Sequence, residues 1–336
     1  MTIPYWDWIH PQPIGKFPPA FDQPGLASPD RDLDDESLPS ETLTTVTTET
    51  DWRRFGGYPQ GDPDGDYGDL ELGPHNFMHP WFIGGKMADP ATAAEDPIYF
   101  SFHCFIDLLW AEWQRRSGMP APTSPNAHLR GFLAQPKHQV ADFQDTQQLN
   151  YVYEYTDQLE AAFGVVVPQP AARERLATVP LEPAFDASVR KQLLDTERLQ
   201  FSLAAPPVQG AALLVRLDQL KIPQKGSFML RGYVHPKDVP FDDDDVAFRE
   251  VYSLGYVVMW RSHGMSAGHG EHGGHAPQHH PTSCIVRFDV TRVLDAEALP
   301  ADHLLTLRYI SAPGTANAAE VIEEVEFEKV LMEVYG

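Results

Sequence analysis

The stretch Gly68-Asp69-Leu70-Glu71-Leu72-Gly73-Pro74-His75-Asn76-Phe77-Met78-His79-Pro80, with Asp96-Pro97-Ile98-Tyr99-Phe100-Ser101-Phe102-His103-Cys104-Phe105-Ile106-Asp107-Leu108-Leu109-Trp110 downstream of it, decides how this chain is read. His75 and His79 are four residues apart, so one helical turn points both imidazoles to the same side, a geometry that suits a metal ion. Pro74 is expected to start that turn and Pro80 to end it, because proline restricts the residue before it and cannot continue the hydrogen-bond ladder. In the second stretch Asp96 is a good N-cap, Pro97 fits the first helical position, and Gly118 with Pro120 supplies the stop, which predicts a helix over 97–117. Phe100, His103, Asp107 and Trp110 recur on it at intervals of three and four and share a face.

A His-x-x-x-His pair needs a third ligand before it specifies a metal. His103 can supply it, since it lies mid-helix among Tyr99, Phe100, Phe102, Phe105 and Ile106, where an uncompensated imidazole is costly to bury. A core histidine bonded to a backbone carbonyl is the alternative. Asp107, one turn later, is placed to fix the ring's tautomer directly or to anchor the shell around it. Three neutral imidazoles suit copper or zinc.

Across the whole chain, the 336 residues carry 25 Lys and Arg against 48 Asp and Glu, a net charge of −23 that repels nucleic acid and anionic lipid alike. No stretch approaches the roughly 18 uncharged apolar residues that a membrane span needs. The first residues lack the basic-then-apolar pattern of a secretory signal, so a soluble protein is expected, with its compartment unread. The two cysteines, Cys104 and Cys284, give neither a disulfide framework nor a Cys-based zinc ribbon, and any metal must be held by His or carboxylate. Tyr5, Trp6 and Trp8 are core-type residues at the very start of the chain. They are expected to lie exposed for want of a segment preceding them.

Residues 9–66, rich in Pro, Asp, Ser and Thr, read as long irregular connections. Leu149 to Tyr155 alternates like a short strand, and the proline-interrupted polar stretch after it reads as a linker. Six runs follow with strand composition: Ala212 to Leu217, Ser227 to Val234, Tyr252 to Trp260, Cys284 to Val290, Leu304 to Ile310 and Val325 to Val334. The expected fold class is therefore α+β, with a first domain over 1–155 that carries the histidine turn and helix, a linker over 156–197 and an antiparallel, jelly-roll-like β-sandwich over 198–336.

The order Gly68 to His79, then Gly85-Lys86-Met87, then Asp96 to Gln114, resembles the CuB region of the tyrosinase and polyphenol oxidase family. Tyr5-Trp6-Asp7-Trp8 resembles the segment that the family places just after its CuA histidines. Tyr151-Val152-Tyr153-Glu154 resembles the tyrosine motif closing its catalytic domain, and the β-rich tail with Arg287-Phe288-Asp289-Val290 is more distantly similar to the shielding C-terminal domain of plant polyphenol oxidases. The resemblance implies a type-3 copper helical bundle whose two copper ions use O2 to oxidise a small phenol or catechol to an o-quinone. Within it His75, His79 and His103 match the three CuB ligands, so one copper belongs to this chain and a complete site holds two. Glu71 matches a carboxylate that orients a water, and Asn76 an amide that helps this water take the phenolic proton; a phenol of pKa near 10 must lose that proton to bind copper. A solvated or capping Glu71 and a helix-surface Asn76 are the plainer alternatives.

Departures from the family pattern matter as much. Phe102 stands where the family usually has a histidine before its third CuB ligand, and no CuA histidines precede Tyr5. A start read too late or a truncated gene, a separate CuA-bearing partner chain, and a remnant with a mononuclear site each account for that; the first is favoured because nothing caps the aromatic cluster. His263, His269, His272, His275, His279 and His280, six of 14 histidines within 18 residues, form a glycine-rich tract able to bind copper as a loading or storage loop, or with incidental affinity only. Asp242 to Asp245 read as a solvated turn. Besides an oxidase, two other readings stand: a haemocyanin-like oxygen carrier, and a copper-binding protein without redox turnover.

Overall fold

A computed structural model describes residues 4–10, 17–23, 46–57, 67–118, 140–143, 145–164, 174–181, 198–203, 211–221, 226–260, 283–291, 293, 303–312 and 327–336. The described residues form two units, one within the first 170 positions and the other from 171 onward. Among them no helix is long and apolar enough to cross a membrane.

The first unit is organised by one long helix. After α1 (Trp52–Gly56), α2 (Ile98–Ser117) begins where the sequence says it should, because Asp96 Oδ1 accepts the Ile98 N–H at 3.1 Å. It stops at Gly118, whose φ of 59° is left-handed and whose N–H closes on the Gln114 carbonyl. Phe102, Phe105, Leu109 and Trp113 make the fully buried side of α2, and Phe55 of α1 stacks flat on Trp113 at 4.8 Å. The opposite side, with Phe100, His103 and Asp107, is more open.

Three expectations are corrected in this unit. Trp6 and Trp8 are not an exposed cluster: both are buried, Trp8 against Phe102 and Phe105 and Trp6 against Phe17 and Phe82, with the Trp6 N–H on the Ser101 carbonyl. Pro80 does not end the turn that carries His75 and His79. The chain winds through Glu71–His75 and Met78–Ile83 in wide turns, kinked at Gly73 (φ −92°, ψ −106°), and a Gly84 N–H to His79 carbonyl bond of 3.0 Å carries the winding past the proline, which has no N–H to offer. The alternating run to Tyr155 is no strand. Tyr151 and Tyr153 hang it on Asp107, Tyr155 on Glu112, and Tyr5 reaches its Glu154 carbonyl before α3 (Asp157–Gly164) begins.

The second unit contains two four-stranded antiparallel sheets. One has the order β1-β8-β3-β6, from β1 (Arg175–Pro180), β3 (Ala212–Lys221), β6 (Ser283–Asp289) and β8 (Lys329–Tyr335). The other has the order β2-β7-β4-β5, from β2 (Arg198–Leu203), β4 (Phe228–Pro236), β5 (Ser253–Met259) and β7 (His303–Ser311). The sheets meet where Phe288 of β6 lies on Gly232 of β4; a Cβ at 232 would stand 3.0 Å from that ring and press on it, so glycine gives the ring its close approach. Asp242 Oδ1 accepts the N–H groups of Asp244 and Asp245, and Asp245 caps the short α4 (Val246–Tyr252), so the aspartate run is a turn and a cap.

Each of the six expected runs contains one of the strands β3 to β8. The stretch 156–197, expected as a linker, differs: it contains α3 and also β1, which pairs with β8 across Arg175↔Tyr335 to Pro180↔Leu331. Every residue of β1 is exposed, so its ladder of backbone bonds, not burial, makes it a strand, and apolar periodicity carries no trace of it.

Candidate metal centre

His75 and His79 come from the kinked winding and His103 from α2, and one ligand atom from each lies within 4.8 Å of the others. All three Nδ1 atoms face an oxygen that can only accept. His79 Nδ1 donates to the Met87 carbonyl at 2.9 Å, His103 Nδ1 to the Tyr99 carbonyl at 2.7 Å, and His75 Nδ1 to the Asn76 amide oxygen at 3.1 Å. The proton of each ring therefore sits on Nδ1, and Nε2 presents a lone pair. His75 Nε2 and His103 Nε2 stand 3.1 Å apart, and two lone pairs at that distance repel unless a cation lies between them.

Electrostatics agree with the tautomers. Burial, reinforced by repulsion from His103, pushes the His75 pKa down to about 3 against the opposing Asn76 bond; burial likewise holds His79 well below the usual range and lowers His103. Neutral, converging nitrogen donors with no thiolate fit copper or zinc. Phe102, in the place of the family's histidine, stacks on His75 at 5.7 Å and meets His79 edge-on at 5.2 Å, so the floor of the site is hydrocarbon. Tyr99 lies over His103 at 3.9 Å.

The other residues singled out in the sequence are placed as follows. Asn76 is buried beside the triad, with its amide oxygen on His75, and Glu71 is exposed at the start of the winding. Asp107 does not bond the His103 ring, whose Nδ1 proton goes to the Tyr99 carbonyl; its carboxylate accepts from Tyr151 and Tyr153. His263, His269, His272, His275, His279 and His280 lie outside the described residues. Two contributors escaped the sequence reading, the carbonyls of Met87 and Tyr99. Tyr99 stands four residues before His103, a spacing at which a helix carbonyl is within reach of a histidine ring; Met87 leaves no comparable signal.

A triad of neutral imidazoles on helical segments is a donor set that fits a borderline transition metal held through histidine alone. Residues 22–116 match the family model described as the common central domain of tyrosinase. The chain is 33% identical over 171 residues to tyrosinase HcTyr1 of a Hahella species, covering 48% of this chain and 34% of that protein. It is 30% identical over 142 residues to hemocyanin 2 of Megathura crenulata, covering 34% of this chain and 4% of that protein. In fold it resembles a latent aurone synthase, a polyphenol oxidase, with a TM-score of 0.64 at 16% identity, over 99% of this chain and 70% of that one. Residues 22–116 thus match the central domain of tyrosinase, and the relatives found support a member of the type-3 copper tyrosinase and polyphenol oxidase family. It spans about a third of the length of its Hahella relative.

Proposed function

We propose that this chain supplies the CuB half of a site that oxidises phenols or catechols to o-quinones with O2, the CuA half coming from preceding sequence or from a partner chain. The observation that carries the reading is the set of three Nδ1-anchored imidazoles whose Nε2 lone pairs converge without a proton between them. Copper, when bound there, supplies the change of oxidation state that phenol oxidation requires. The chain's own residues do the rest: three imidazoles hold the ion, Phe102 keeps water from beneath it, and Asn76 and the carbonyls of Met87 and Tyr99 fix the tautomers. Glu71, open to solvent four residues before the first ligand, acts as general base through a water for the phenolic proton. Because the amide oxygen of Asn76 is committed to His75, its NH2 is the end that meets this water.

The strand orders β1-β8-β3-β6 and β2-β7-β4-β5 support reading the second unit as a jelly roll of two Greek keys. We further propose that it restrains the activity until it is removed, a reading supported by the likeness in fold to an aurone synthase in its latent form. Since β1 belongs to it, a truncation meant to release activity should remove residues from 171, not 198. The hemocyanin relative supports a second reading, an oxygen carrier.

The deciding experiment supplies copper and a CuA half to the full chain and follows o-quinone formation from catechol. Turnover supports the oxidase. Reversible O2 uptake without turnover supports the carrier, and copper bound with neither leaves a non-catalytic copper protein. Glu71→Gln should slow monophenols more than catechols, and equal slowing would remove Glu71 from the role of base.

A further inference from the structure

On α2, four residues beyond His103 and so about 6 Å along the axis, Asp107 builds an arrangement that the metal does not use. A single carboxylate oxygen, Asp107 Oδ2, accepts two phenolic hydrogen bonds, from Tyr151 at 2.7 Å and from Tyr153 at 2.5 Å. The two rings meet edge to face, 5.6 Å between centroids. They differ in exposure: Tyr153 is half-buried, whereas Tyr151 is 37% exposed. One phenol would suffice to tether the segment to the helix. Two phenols on the same oxygen, one inward and one at the surface, make a path with a shared proton acceptor. Burial and the bonds to Asp107 raise the pKa of both phenols, so both carry the proton that the path requires.

We infer that Tyr153, Asp107 and Tyr151 form a redox-active site that accepts one-electron oxidising equivalents and passes them outward. In the step, one electron leaves the Tyr153 ring for the oxidant, and the phenolic proton moves along the existing hydrogen bond to Asp107 Oδ2. A neutral phenoxyl radical and a protonated carboxyl result, and the oxidant is reduced by one electron. Without that acceptor a cationic radical would form in a half-buried place, which desolvation disfavours. Transfer of an electron from Tyr151 to the Tyr153 radical, with the carboxyl proton returning to Tyr153 and the Tyr151 proton taking its place, moves the radical to the exposed ring. A dissolved reductant such as a catechol then restores it with one electron, the Asp107 carboxyl returning its proton to the Tyr151 oxygen while the oxidised reductant gives up its own proton to water. The oxidants it would meet are aryloxyl or semiquinone radicals, the stray products of phenol oxidation. That use rests on the oxidase reading, but the site itself does not.

The metal-free full chain therefore provides the test. Photolysis with ruthenium tris-bipyridine and persulfate generates a one-electron oxidant, and electron paramagnetic resonance reads the tyrosyl signal. The double variant Tyr151→Phe with Tyr153→Phe should lose most of the long-lived signal, although ten of the 12 tyrosines remain. Asp107→Asn keeps an acceptor but not a base, and should lose a similar share. Tyr151→Phe alone should lengthen the lifetime by closing the exit. If the double variant gives an undiminished signal, the inference is wrong. If Asp107→Asn misfolds by circular dichroism, the two Tyr→Phe variants, which keep both rings, decide alone.

Discussion

Each unit of the molecule buries histidines, and they are buried to opposite ends. In the helical unit, His75, His79 and His103 spend one nitrogen each on an oxygen acceptor and turn the other toward a common point. In the β unit, His235 uses both: Nδ1 donates to the Pro236 carbonyl at 3.0 Å and Nε2 accepts from the Thr306 hydroxyl at 2.9 Å, under a lid of Phe241, Phe248 and Tyr252. A buried imidazole whose two nitrogens are satisfied by the protein is structural, and it needs no cation. An imidazole anchored at Nδ1, with its Nε2 3.1 Å from the Nε2 of a second anchored ring, is arranged as a metal ligand would be. Burial alone does not separate the two; the destination of the second nitrogen does.

The most drastic change tests this contrast directly. His103→Ala should abolish copper binding at the triad, lowering affinity by more than the roughly 10- to 100-fold that outer-shell changes cost. His235→Ala should leave copper stoichiometry unchanged and instead destabilise the β unit by about 1–3 kcal/mol, since Thr306 loses its buried partner. Copper content by atomic spectroscopy, with a denaturant melt of each variant, checks both. Full copper retention by His103→Ala would end the ligand assignment.

A milder substitution refines the contrast. Asn76→Ala removes the oxygen that keeps the His75 proton on Nδ1, so that proton becomes able to occupy the metal-facing Nε2. Copper affinity should fall by about 10- to 100-fold with the stoichiometry preserved. Asn76→Asp, which keeps an acceptor, should restore most of it, an outcome that mere loss of packing at a buried position would not produce.

How much of this was legible in the sequence follows the range of the interactions. The α2 cap at Asp96, its stop at Gly118 and the four-residue spacing of His75 and His79 are local, and each is written in adjacent residues. The destination of the Asp107 carboxylate depends on Tyr151 and Tyr153, more than forty positions away, and the His79 tautomer depends on a backbone carbonyl that any residue at 87 would possess. The wide turns past Pro80 defeat a rule built on ordinary helical hydrogen bonding. β1 escapes a reading of periodicity because its signal is a ladder rather than a buried face. Trp6 and Trp8 mislead because large aromatics at a chain start announce a core without saying which one; α2, about a hundred residues later, is their partner.

The slightest effect concerns acid, and it distinguishes the two units by the number of rings involved. In the metal-free native chain the three triad imidazoles are held neutral, His75 down to a pKa of about 3, whereas an unfolded chain protonates them near the ordinary value of about 6.5. Between those limits the unfolded state binds more protons, so the stability is whole above pH ~6.5 and is lost as the pH falls toward 3, at up to about 1.4 kcal/mol per pH unit for each ring. His235 is lowered by burial as well, with the same sign, but it is a single ring in the other unit. The helical unit should therefore lose stability more steeply with acid than the β unit. Bound copper should oppose the loss, because the ion and the proton compete for the same Nε2 atoms. Denaturant melts at stepped pH, with tryptophans of the first unit and hydrogen exchange of the β strands as separate probes, measure the two slopes. His75→Asn should flatten the first slope by one proton and leave the second alone. Equal slopes in wild type would mean that the triad rings take up protons in the folded chain, which three lone pairs aimed at one point could do only by moving apart.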